Sequence, residues 1–159
     1  MSLESVRAFL SARAPDIQVI EQASSTATVL EAAQTLGVTP GQIAKTLSFR
    51  VQDRSLLIVT AGDARLDNRK VKQAFGGRPR MLGAEEAEAL TGHPVGGVCP
   101  FGLANPIPVY CDLSLRRFDL VYPAAGARTA SVCLAPGRLA ELTAAEWVDI
   151  CTVPELSPA

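Results

Sequence analysis

Ile43-Ala44-Lys45-Thr46-Leu47-Ser48-Phe49-Arg50-Val51 repeats with a period of two. Ile43, Lys45, Leu47, Phe49 and Val51 fall on one side of an extended chain, and Ala44, Thr46, Ser48 and Arg50 on the other. The first set is apolar apart from Lys45, so the segment reads as a strand with one face toward a core. After the turn Gln52-Asp53-Arg54 comes Ser55 to Ala61, a nearly continuous apolar run that suits a central strand covered on both faces. These two strands divide the chain.

Helical patterns come first. Residues 2–13 place Leu3, Val6, Phe9 and Leu10 on one helical face, and Pro15 stops them. Residues 17–21 suit a short edge strand. Thr28 and Glu31 have capping-box spacing for a helix to Leu36, with Gly37 just past its end. Asp67 caps a helix to about Phe75, which Gly76-Gly77 breaks. Arg80 to Leu82 suits a short strand, and Ala84 to Leu90 a helix with Glu85 and Glu86 in its first turn. Strands then dominate: 106–113, 115–122, 129–135 and 147–150, with one short helix near 138–142 and a frayed tail from Pro154. That order predicts a single α+β domain, a mostly antiparallel, curved, mixed sheet flanked by helices, and not a doubly wound fold.

A chain of 159 residues, 48% of them hydrophobic, is long enough for one real core. Its net charge of −1 excludes a protein that binds polyanions with its whole surface; a local patch would be needed. No apolar run reaches membrane-spanning length, and Met1-Ser-Leu-Glu-Ser-Val-Arg7 lacks a signal peptide's basic start and apolar centre. The expectation is a soluble cytoplasmic protein. Cys99, Cys111, Cys133 and Cys151 form no CxxC pair and His93 is the one histidine, so structural zinc has no ligand spacing. Cys111 and Cys133 sit in apolar runs and read as buried thiols in a reducing compartment.

Three features carry candidate chemistry. Lys45 is the one charge on an apolar face; an inward lysine costs several kcal/mol unless it is paired or its pKa falls, roughly the penalty of burying any charge. It reads as a site lysine or as a strand-end residue whose stem snorkels to the rim. Thr91 to Leu103, Thr-Gly-His-Pro-Val-Gly-Gly-Val-Cys-Pro-Phe-Gly-Leu, is a loop built to bring main chain close to something. Gly96-Gly97 could aim bare N–H groups at a polarised carbonyl, or the loop could simply join two strands. Between Arg65 and Arg80, six basic residues (Arg65, Arg69, Lys70, Lys72, Arg78, Arg80) face only Asp67. This is a patch for phosphates or an ordinary solvated helix face. Three functions fit these residues: a Cys99 nucleophile with His93 as base, a non-catalytic binding module using the loop and the basic segment, and a hydrolase without a protein nucleophile.

Lys45-Thr46-Leu47, Gly62-Asp63, the run from Thr91-Gly92 through Val95-Gly96-Gly97-Val98 to Pro100-Phe101-Gly102, then Tyr122, Gly126-x-Arg128 and Ala135-Pro136 form an ordered series. The series resembles the YbaK/ProX family of aminoacyl-tRNA editing domains, free-standing or inserted in bacterial prolyl-tRNA synthetases, over about residues 24–151. The resemblance implies one such domain over 1–159. It would hydrolyse the ester of a mischarged small amino acid on tRNA, tRNA-Pro above all, with no cofactor and no metal. The partners it implies are the tRNA 3′ end and a prolyl-tRNA synthetase, with no membrane. It implies a catalytic role for Lys45, near the terminal phosphate or ribose, and for Gly96 and Gly97. Substrate contacts are implied for Thr46, Val98, Cys99, Pro100, Phe101 and Gly102 in strand and loop, and for Gly126 and Ser131 beyond. It gives the patch of Arg65, Arg69, Lys70 and Lys72 a tRNA to meet. Cys99 stands where the family often has serine. Residues 22–28 lack the aromatic and histidine residues of the cysteine-editing branch, which leaves alanine, serine or threonine open as the amino acid removed.

Overall fold

A computed structural model describes residues 2–154. The chain begins with α1 (Ser2–Arg13), the two-residue β1 (Ile20–Glu21) and α2 (Val29–Leu36). Thr28 caps α2 by accepting from the Glu31 amide, and Gly37 closes it at φ 73°. Then come β2 (Ile43–Val51), β3 (Arg54–Ala61), β4 (Arg65–Leu66) and α3 (Asn68–Phe75). Asp67 caps α3 through the Arg69 and Lys70 amides. β5 (Arg80–Met81), α4 (Ala84–Thr91) and β6 (Val109–Asp112) follow, then β7 (Tyr122–Pro123), β8 (Ala130–Ser131), α5 (Pro136–Thr143), β9 (Glu146–Val148) and β10 (Cys151–Thr152).

β2 and β3 are the axis. They pair antiparallel from Ala44↔Ala61 to Val51↔Arg54. The main sheet runs β5-β2-β3-β6-β9, with β7 beside β2. β5 joins β2 antiparallel, whereas β2–β7, β3–β6 and β6–β9 are parallel, so the sheet is mixed. Two small antiparallel pairs, β1–β8 and β4–β10, lie outside it. Antiparallel partners share a face, so Lys45, Leu47 and Phe49 lie with Thr60, Ile58 and Leu56. α3 covers that face: the Phe75 ring sits 6.3 Å from Phe49 and 4.9 Å from Tyr110 of β6. β3 is buried from Leu56 to Ala61, as its uninterrupted apolar run requires. α1 adds Val6 and Leu10 to the same core.

The structure corrects the reading of residues 115–122 as a strand. Residues 113–117 form a 3₁₀ turn instead. The Asp112 carboxylate accepts from the Ser114 amide and starts it, and the Arg117 guanidinium returns to the Ser114 carbonyl. A local side-chain acceptor here outcompetes the alternation of Phe118, Leu120 and Tyr122, and Leu120 is exposed. The 129–135 strand shrinks to β8 plus isolated bridges, Val121↔Leu134 and Ala124↔Ser131. The strand expected at 147–150 stops at Val148 as the end of β9, because the Ile150 amide turns inward to the Asp112 carboxylate, and β10 follows beyond it on β4. Of the expected frayed tail, residues 155–159 lie outside the described residues.

Candidate active site

β2 has two partners on its outer side, β7 at Ile43–Ala44 and β5 at Phe49–Arg50. Between them, among the described residues, 45–47 have a strand neighbour only toward β3. A cavity of about 300 Å³ occupies this break in the sheet edge. One wall is β2 from Ile43 to Ser48, and another is the start of α2 with Thr26, Ala27, Val29 and Ala32. Val95, Gly96 and Val98 of the glycine-rich loop face them, with Met81 and Leu82 at one end and Tyr122, Ala124 and Ser131 at the other. Among the described residues, no carboxylate and no histidine lines the space.

Of the residues singled out in the sequence, Lys45, Thr46, Gly96, Val98 and Ser131 line the cavity. Gly97, Cys99, Pro100, Phe101 and Gly102 do not; they belong to the rest of the loop, and Gly126, which does not line it either, donates to the Gly97 carbonyl. Lys45 is half-buried, and its ammonium donates to the Ala64 carbonyl at 2.8 Å. Desolvation is the largest influence on it and lowers its pKa; Arg65 and Asp63 are charged groups nearby, and Cys151, whose thiol burial keeps protonated with a pKa pushed up to about 12, lies beside them. Neither Ala64 nor any of these three lines the cavity. In this conformation the ammonium is therefore turned along the sheet from the residue's own backbone wall. Thr46 has a buried hydroxyl with no hydrogen-bond partner among the described residues; the sequence carries no sign of that.

The loop's shape follows from close contacts. Gly96 has φ 90°, and a Cβ there would lie 2.9 Å from the Ala27 Cβ and 3.0 Å from the Arg128 Cγ. Gly97 donates to the Pro94 carbonyl, and its own carbonyl accepts from the Gly126 amide, both at 2.9 Å. The Gly97 amide is thus committed within the loop. Among the described residues, the amides of Gly96 and Val98 have no acceptor.

His93 and Cys99 do meet, but not as base and nucleophile. The Cys99 thiol is fully buried, and desolvation pushes its pKa up to about 12. The sulfur lies 3.6 Å from His93 Nε2. That nitrogen donates to the Phe101 carbonyl at 2.7 Å, because a carbonyl can only accept. The lone pair is therefore on Nδ1, which faces the Ser2 hydroxyl. A ring with its proton toward the thiol cannot remove the thiol's proton. Cys99→Ser is expected to keep its hydrolysis rate to within about threefold, since a hydroxyl can replace the thiol as donor to Phe101; a covalent acyl group trapped on Cys99 in single-turnover mass spectra would refute this.

The basic segment is divided. Arg65, Arg69 and Lys72 are exposed. Lys70 pairs with Asp149 at 3.0 Å and donates to the Cys151 carbonyl, and the Asp149 contact raises its pKa. It ties α3 to the β10 end. Sequence reading missed the start of α2, whose Thr28 cap was visible but not its place in the wall. It also missed Met81 and Val95, two half-exposed apolar residues at the cavity.

The fold recurs elsewhere. Residues 23–142 match the model of the aminoacyl-tRNA editing domain. The chain is 48% identical over 153 residues to "Uncharacterized protein YwhH" of Bacillus subtilis, covering 95% of this chain and 98% of that one. It is 30% identical over 122 residues to "Putative Cys-tRNA(Pro)/Cys-tRNA(Cys) deacylase EbsC" of Enterococcus faecalis, covering 76% and 74%. The proline–tRNA ligase of Shouchella clausii matches at 33% identity over 136 residues, 83% of this chain but 23% of the ligase. A solved structure described as "Crystal structure of a putative trans-editing enzyme for prolyl tRNA synthetase" superposes with a TM-score of 0.87 at 36% identity, covering 95% and 97% of the two chains. With three quarters of its length inside the family's pattern and the glycine-rich loop standing at the cavity, the chain belongs to the aminoacyl-tRNA editing domain family.

Proposed function

We propose that this chain hydrolyses the ester between a wrongly attached small amino acid and the 3′-terminal ribose of a tRNA, acting in trans, with tRNA-Pro as the tRNA. The observation that carries this reading is the cavity itself. Gly96 and Val98, whose amides have no acceptor among the described residues, and the strand that bears Lys45 line a space of about 300 Å³ walled mostly by small and apolar residues. The names of the relatives support the substrate class, and a prolyl-tRNA synthetase is the partner they suggest. Among the described residues no helix is long and apolar enough to cross a membrane. A place beside the translation machinery in the cytoplasm agrees with that reading.

In this mechanism the oxygen of a water attacks the ester carbonyl carbon. Charge developing on the carbonyl oxygen is met by the amides of Gly96 and Val98. The carbon–oxygen bond to the ribose breaks, and a proton from the water ends on the ribose oxygen, leaving free amino acid and uncharged tRNA. Among the described residues, no side chain lining the cavity is a carboxylate or imidazole base. The acceleration then comes from positioning and charge stabilisation, which suffice for an activated ester. Lys45 swings from Ala64 to a phosphate or ribose oxygen of the terminal nucleotide.

A single-turnover panel of Ala-, Cys-, Ser-, Thr- and Pro-tRNA tests the reading. At least one small mischarged amino acid is released faster than in buffer, and correctly charged Pro-tRNA-Pro is spared. Binding of all five with no acceleration of any would favour the binding-module alternative. Exposed Arg69 and Lys72 meet the acceptor stem, so Arg69→Glu with Lys72→Glu weakens tRNA binding. The double change also flattens the plot of log affinity against log salt, by about 0.7–0.9 for each phosphate no longer neutralised. An unchanged slope places the tRNA elsewhere.

A further inference from the structure

The family pattern begins at residue 23, yet helix α1 lies before it and packs against the glycine-rich loop at three points and against Gly126 at a fourth. The Ser2 hydroxyl meets His93 Nδ1. The Phe9 ring lies 5.8 Å from the Phe101 ring. A Cβ on Gly102 would lie 2.5 Å from the Ser5 carbonyl, and one on Gly126 2.8 Å from the Ser2 carbonyl. Gly126 in turn donates to Gly97, so α1 packs against both the loop that presents Gly96 and Val98 and the segment that holds it. His93, within the loop, is wholly buried and faces the start of α1. Its two ring nitrogens have separate duties, Nδ1 to Ser2 and Nε2 to the Phe101 carbonyl. A hydroxyl that donates to Nδ1 selects the tautomer with the proton on Nε2, which alone can hold a carbonyl.

We propose that His93 is a positioning residue for the editing reaction, its tautomer set by Ser2 of α1, so that this first helix is part of the catalytic unit. The proposal rests on the hydrolase reading above. His93 touches no atom of the substrate; it acts by holding the Phe101 carbonyl and thereby the curvature from Val95 to Gly102. A loop amide displaced by about 1 Å from a developing oxyanion costs on the order of 100-fold in rate. Desolvation keeps the ring neutral, which agrees with the one-proton arrangement.

His93 is the one histidine of the chain, so its ring gives a single unambiguous set of nitrogen resonances. Two-bond proton–nitrogen spectra of the full chain are expected to show one tautomer, protonated on Nε2. In Ser2→Ala the ring shows a mixture of tautomers, and the amide resonances of Gly96 and Val98 shift. The single-turnover rate at saturating enzyme falls about 10-fold or more while half-saturation moves less than threefold. Ser2→Thr, which retains the hydroxyl, restores both spectrum and rate. A helix that served only stability would change the melting temperature and leave the saturated rate alone. Unchanged tautomer, amide shifts and rate in Ser2→Ala overturn the proposal, and so does a loss of rate that Ser2→Thr shares. If the unaltered protein accelerates no ester in the panel, the hydrolase reading fails. The spectra then still decide whether Ser2 and His93 set the loop.

Discussion

Lys45→Met abolishes hydrolysis of mischarged tRNA, by more than about 100-fold in single turnover, and leaves the protein as stable as before to within about 1 kcal/mol. The two halves of this result have separate causes. In the resting protein the ammonium is half-buried and its hydrogen bond is to a neutral carbonyl, that of Ala64. Among the described residues no carboxylate pairs with it. Replacing it by an apolar chain of similar length removes the desolvation cost but leaves the Ala64 carbonyl without its donor, and these changes oppose each other. What disappears is the one cation on a residue of the cavity wall among the described residues. The pH dependence carries the sign. Burial lowers the folded-state pKa of Lys45, so the folded state releases its proton first as pH rises. The unaltered protein therefore gains stability relative to Lys45→Met as pH climbs toward about 10, the ordinary lysine pKa. Denaturant titrations of both proteins at neutral and alkaline pH measure the difference. Retention of hydrolysis in Lys45→Met would remove this residue from the mechanism.

Gly97→Ala is expected to destabilise the protein by about 3 kcal/mol, lowering the melting temperature by roughly 6–12 °C, and to inactivate it. A Cβ at this position would lie 2.5 Å from the Ala127 nitrogen and 2.6 Å from the Gly126 carbonyl carbon. Both are main-chain atoms, which no rotamer change can move aside. Separating the two segments stretches the Gly126-to-Gly97 hydrogen bond and shifts Gly96 and Val98 with it. The control is Gly137→Ala in α5, where a Cβ meets nothing within 4 Å. Relief of glycine's backbone entropy there stabilises by about 0.5–1 kcal/mol. Thermal melts of the two variants should move in opposite directions. If Gly97→Ala melts with the parent, the turn is looser than the contacts require.

These outcomes separate what near neighbours decide from what distant ones decide. The alternation of Ile43 to Val51 marks β2 to the residue, because a period of two needs only its own side chains. Thr28, Asp67, Gly37 and Gly76 end their helices as their types demand, since a cap is a contact over two to five residues. The 3₁₀ turn at 113–117 was not legible, because Asp112 acts as a cap there although the run around it alternates like a strand.

The candidate site was legible by residue and not by direction. Glycine, proline and an inward lysine announced unusual backbone and an unusual charge. Nothing in their spacing told that the Gly97 amide is held by Pro94 while Gly96 and Val98 are left open, or that Lys70 is drawn to an aspartate 79 residues away. By itself the sequence determined the strands and helices around the core, the turn-rich loop and the one buried-face cation, because each is a property of adjoining residues. The tertiary structure alone decided that the loop faces the broken edge of β2, that the cation rests on Ala64, and that a serine and a histidine 91 residues apart share a proton. Hydrogen bonds and close packing depend on distances that only the folded chain sets.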